Sequence, residues 1–157
     1  MLIQLREWLR TGLISPLRWG ATARDFIELW PTAQAEIDQL RTNGYPFMVL
    51  DGVEFYFTTD TFEDLCEICL KAWTLAPDAT SAYFDYGWLR EGLTNSQVQA
   101  ALQAQGIAYQ VERGPAFQTP NLRTVAGVLF SFYSDFETEA EAELMNVYFS
   151  AQMGFKL

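Results

Sequence analysis

The stretch LREGLTNSQVQAAL (residues 89–102) decides the fold, because it repeats the pattern of LRWGATARDFIELW (residues 17–30). The two align without gaps at an offset of 72, sharing residues at Leu17/Leu89, Arg18/Arg90, Gly20/Gly92 and Thr22/Thr94. Thr22-x-x-Asp25 and Thr94-x-x-Gln97 both have the form of a capping box. In that motif a threonine side chain accepts the third helical N–H while a polar side chain reaches back to the cap. Each predicts a helix start. Behind the caps, Phe26, Leu29 and Trp30 match Val98, Ala101 and Leu102, the i, i+3, i+4 spacing of one buried helical face. Pro31 is expected to stop the first helix and Gly106 the second.

The correspondence resumes downstream in the same order. DGVEFYF (residues 51–57) lies over AGVLFSF (residues 126–132), with Gly52/Gly127, Val53/Val128, Phe55/Phe130 and Phe57/Phe132 in register. Apolar residues at alternate positions predict two half-buried strands. Residues 65–70 and 144–149 read as the strands that follow and pair antiparallel with them. Asp51-Gly52, between two strand-like runs, is a strong hairpin signal.

The expected fold class is α+β. Two tandem units, residues 1–76 and 77–157, each place a capped helix or helical hairpin on a three- to four-stranded antiparallel meander. Residues 74–82 are the linker. An N-terminal helix around Leu2, Leu5, Trp8 and Leu9 adds to the first unit, and YFDYGWL (residues 83–89) stands in its place in the second. A single α+β domain with accidental similarity between its halves is the alternative.

A chain of 157 residues, half of them hydrophobic, can bury a core without disulfides or metals. Its apolar runs are far shorter than the roughly 20 residues of a membrane span, and its N-terminus lacks the pattern of a secretory signal. A cytoplasmic location is expected. Cys66 and Cys69 form CEIC, but with no histidine and no second cysteine pair a zinc site lacks ligands. In a strand, residues three apart cannot bridge. They read as two small hydrophobes, and no metal or cofactor is expected. The net charge of −10, with twenty acidic residues against ten basic, disfavours binding to a phosphate backbone and complements a basic protein partner. The same charge also serves solubility alone.

Without histidine, the Ser-His, Cys-His and His-metal arrangements are excluded, and no phosphate-binding or dinucleotide glycine motif occurs. Asp60, Glu63 and Asp64 are close enough in sequence for carboxylate chemistry, although they fall in a strand-connecting loop where solvated acids are ordinary. A non-enzymatic role is expected. Two equivalent loops are the most informative polar features: TTDTFED (residues 58–64) and SDFETEAEAE (residues 134–143). Acids at every second position of the latter predict an extended arm with one acidic face. Each loop carries a phenylalanine beside its acids. Asp60, Phe62, Glu63, Asp135, Phe136, Glu137 and Glu139 are therefore the candidate partner-binding residues, aromatics anchoring and carboxylates steering. The alternative folds both phenylalanines into the core.

The aromatic residues 83–88 are expected to pack between the units, or to form an exposed strip. Tyr56, Trp73 and Tyr148 are the candidate ligand or partner face of the sheet. Arg18 and Arg90 are expected to pair locally with acids or carbonyls.

A capped helical unit preceding an antiparallel meander, repeated in tandem, resembles the beta-lactamase inhibitor protein fold and the related small outer-membrane assembly lipoproteins. LR-x-G-x-T followed by a helix and then DGVEFYF is also similar to small bacterial proteins of immunity type. The resemblance implies protein binding by sheet face and loop tips. The chain departs from the inhibitors in lacking their secretion signal and disulfide cysteines, which argues against a secreted beta-lactamase as target. The expected function is an immunity-type inhibitor of a basic toxin or enzyme. A small-molecule-binding domain with an aromatic concave sheet, or a structural subunit of an assembly, are the alternatives.

Overall fold

The computed structural model describes residues 1–43, 47–58, 63–113 and 119–151. Their chain order is β1 (Ile3–Gln4), α1 (Leu5–Thr11), α2 (Ala23–Leu29), a 3₁₀ turn (Pro31–Ala33), α3 (Gln34–Asn43), β2 (Phe47–Leu50), β3 (Val53–Phe57) and β4 (Leu65–Lys71). A 3₁₀ turn (Ala72–Thr74), β5 (Phe84–Asp85), α4 (Asn95–Ala104), β6 (Tyr109–Glu112), β7 (Asn121–Thr124), β8 (Leu129–Phe132), a 3₁₀ turn (Glu139–Glu141) and β9 (Leu144–Ser150) follow. The fold is α+β: seven antiparallel strands form one sheet in the order β2-β3-β4-β9-β8-β7-β6, and β1 pairs with β5 in a separate parallel pair.

The predicted caps are present. Thr22 and Asp25 form a complete capping box at α2, as do Thr94 and Gln97 at α4. Phe26 and Val98, at matching places on these helices, are fully buried. Pro31 does end α2, and it opens the next turn from its first position, where a missing N–H costs nothing. Asp51 and Gly52 both have positive φ, the geometry of a tight hairpin turn, and join β2 to β3.

Other local contacts also occur in both halves. The Leu65 amide donates to the Ala21 carbonyl at 2.9 Å, and the Leu144 amide to that of Leu93 at 2.7 Å. The Thr58 amide donates to the Asp64 carbonyl at 3.2 Å, and the Tyr133 amide to that of Glu143 at 2.9 Å.

β4 and β9 join the halves into one sheet, with Cys69 opposite Tyr148 and Leu70 opposite Val147. One face carries Val53, Phe55, Ile68, Leu70, Phe130, Val147 and Phe149, which pack with Trp8, Phe26, Ile37, Val98 and Leu102 of the helices into a single buried cluster. Full burial of each such side chain contributes about 1.5–3 kcal/mol before entropy is counted. Aromatic residues cross between the halves: Phe84 stacks on Phe55 at 5.8 Å, Tyr83 meets Trp30 at 5.7 Å, and Trp19 meets Phe149 at 5.0 Å. The run at residues 83–88 thus packs inward, and Trp88 stacks on Phe130.

Candidate functional site

On a strand, alternate residues face opposite ways, so the face turned away from the core can be followed by register. One row crosses all seven strands: Val49, Glu54, Cys69, Tyr148, Leu129, Arg123 and Gln110. Beside it, Tyr56 stands opposite Phe47 on one side and Glu67 on the other. Tyr56 and Tyr148 therefore share this face and flank β4. Glu54 is only 6% exposed despite lying on the outward face, and its carboxylate meets the Lys71 ammonium at 3.4 Å.

Burial, followed by the charge of Glu54 and a hydrogen bond to it, raises Tyr56 to about 12. Tyr148 also rises to about 12, through burial and then a hydrogen bond to Glu67. Burial, with Glu54 adding to it, lifts the Cys69 thiol to about 11, and burial raises Cys66 as well. Both cysteines are free and part-buried in a strand. Their thiols hold their protons at neutral pH, which suits packing rather than nucleophilic chemistry. Among the described residues, no group of three or more acids or cysteines is placed to hold a metal ion. No described helix is long and apolar enough to cross a membrane.

Asp60 and Phe62 lie outside the described residues. Glu63 is exposed, and the Asp64 carboxylate accepts a hydrogen bond from the Thr58 hydroxyl at 3.1 Å. The second loop is not the extended arm expected. It runs through bends into the 3₁₀ turn Glu139–Glu141, then buries Ala142 before β9 begins. Arg113 grips Glu139 with two hydrogen bonds of 2.7 and 2.8 Å, which hold its carboxyl below the usual carboxylate range. Alternating acids fail to make a strand here because glutamate and alanine have little strand preference, while the arginine clasp and the buried alanine draw the segment back.

Phe136 is exposed at 37%, flanked by the exposed Asp135 and Glu137. It has not folded into the core.

The register also fixes where these loops stand. Glu67 pairs with Ser150 and Lys71 with Asn146, so the start of β4 and the start of β9 are at opposite ends of the sheet. The loop before β4 and the loop before β9 are therefore separated by roughly 20 Å of strand. They cannot form one tip. What the second loop does adjoin is Trp73, in the turn that closes β4. Trp73 is 49% exposed and shares a groove of about 430 Å³ with Arg90, Glu91, Tyr133 and Glu143. On its other side it bounds an open groove of about 480 Å³ with Val49, Asp51, Lys71 and Tyr86. Trp73 and Phe136 are the two aromatic side chains exposed among the described residues, and both stand at this end.

Arg18 and Arg90 do not have the local partners expected of them. Among the described residues neither makes an ion pair or a side-chain hydrogen bond; Arg18 lines an open pocket of about 470 Å³ with Trp19 and Asp25, and Arg90 faces the Trp73 groove. Sequence reading missed Glu91, Tyr133 and Glu143 as neighbours of Trp73. They lie on three separate segments: the Glu91 amide donates to the Leu75 carbonyl, the Tyr133 amide to that of Glu143, and the β4–β9 pairing sets these two contacts side by side.

Comparison of the chain with protein-family models, curated proteins and solved structures finds no match.

Proposed function

We propose that this chain is a non-enzymatic protein-binding module of the immunity-inhibitor kind, built from two copies of one helix-and-meander unit. It docks on a basic toxin or enzyme through the end of the sheet where Trp73 meets the loop at residues 134–143. The observation that carries this reading is the joint exposure of Trp73 and Phe136 among Asp135, Glu137, Glu91 and Glu143, while the other described aromatics are at least part-buried. Large aromatics supply most of the energy at the centre of an interface, and surrounding carboxylates speed the encounter with a cationic partner. A net charge of −10 extends that field and repels nucleic acid.

The test is capture on the immobilised chain, comparing the native sequence with Trp73→Ala and with Asp135→Lys/Glu137→Lys. The expected result is a basic protein retained by the native chain and released from both variants. Equal retention by the charge-reversed chain contradicts the proposal. Glu139 is left unchanged because it holds Arg113.

The two grooves against Trp73 favour a second reading, a small-molecule site, since volumes of about 430 and 480 Å³ fall within the range of ligand pockets. A metabolite that shifts Trp73 fluorescence saturably, with no protein captured, decides for it.

A further inference from the structure

The two grooves that Trp73 separates differ in how their charges are met. In the larger one, the Lys71 ammonium stands 6.0 Å from the Trp73 ring centroid and is neutralised by Glu54. This shows that the indole accepts a cation on one side. The smaller groove places two carboxylates, Glu91 and Glu143, against one guanidinium, Arg90, and among the described residues none of the three has an ion-pair partner. Both carboxylates are mounted on pinned backbone. The Glu91 amide donates to the Leu75 carbonyl at 2.8 Å, while Glu143 receives the Tyr133 amide at 2.9 Å and bridges to Thr94. Two carboxylates without ion-pair partners among the described residues, carried on anchored backbone beside an exposed aromatic face, form a site suited to a cation.

Building on the protein-binding reading, we infer that the groove between Trp73, Tyr133, Glu91 and Glu143 receives an arginine side chain of the partner. The guanidinium stacks on the indole, and its N–H groups donate to Glu91 and Glu143. Arg90 lines the same groove, where the two carboxylates outnumber its single positive charge. The chemistry selects arginine over lysine. A planar fork satisfies two carboxylates on separate segments while stacking flat, whereas an ammonium is a compact, strongly hydrated point charge.

The test uses a small probe, independent of any partner protein. The Trp73 indole N–H resonance, assigned by its loss in Trp73→Phe, is followed while N-acetyl-arginine methylamide, its lysine counterpart or its uncharged citrulline counterpart is added to the whole chain. Arginine is expected to give a saturable shift, lysine one at least about threefold weaker, and citrulline none. Glu91→Gln/Glu143→Gln is expected to weaken arginine binding at least about tenfold. An unmoved Trp73 signal, equal shifts for arginine and citrulline, or undiminished binding to the double variant overturns the inference. If the probe fails while a captured protein is still released by Asp135→Lys/Glu137→Lys, the arginine slot falls and the binding module stands. If the probe binds but no protein is captured, the slot stands without the wider reading.

Discussion

At the residue scale, the sheet's outward face is defined by side chains that hold their protons unusually tightly. Tyr56 and Tyr148, both raised to about 12, are neutral when protonated. Their folded-state values lie above the roughly 10 of an unfolded tyrosine, so the stability they add is complete below pH 10 and is lost as pH rises from about 10 through about 12. Absorbance at 295 nm on alkaline titration is expected to show at least two phenols unionised at pH 11, and denaturation midpoints to fall across that window. Tyr56→Phe should flatten part of that fall. Ionisation of all phenols near pH 10 would contradict the network of Tyr56, Glu54, Tyr148 and Glu67. The sequence exposes the outward direction of Glu54 and Tyr56 through strict alternation with Val53, Phe55 and Phe57. It does not expose Glu67 and Tyr148 as their neighbours, because that depends on the pairing of β3 with β4 and of β4 with β9.

At the element scale, the two helices begin for the same reason. Each capping box satisfies donors that the first turn leaves bare, and replacing the threonine by alanine removes the side-chain acceptor. Thr22→Ala and Thr94→Ala are each expected to cost about 1 kcal/mol in chemical denaturation, with the double variant near the sum because the boxes sit on separate helices. A negligible loss at either position would mean that its helix is held by packing alone. Caps, the Asp51-Gly52 hairpin and strands β2, β3, β4, β8 and β9 were legible because each is written in contiguous residues, whereas β6 (Tyr109–Glu112) and β7 (Asn121–Thr124) were not singled out. The acidic loop was misread for the opposite reason. Its alternation suggested a strand, but Arg113, twenty-six positions from Glu139, and the burial of Ala142 set its path. Similarly, α3 has few apolar residues and left no clear period, yet it packs on β2.

At the scale of the whole molecule, antiparallel pairing of β4 with β9 has a consequence that neither half contains. It carries the two acidic loops to opposite ends of a shared sheet, and sets Trp73 at the close of β4 beside the loop that leads into β9. One end thereby gathers both exposed aromatics, with Glu91 and Glu143 close by. Hydrogen exchange on the complex with the captured protein tests this account most directly. Slowed exchange at residues 72–77, 90–92 and 133–143, with the start of β4 unchanged, is the predicted result. Protection confined to the start of β4, or spread along the outward sheet face with Trp73 left open, would contradict it.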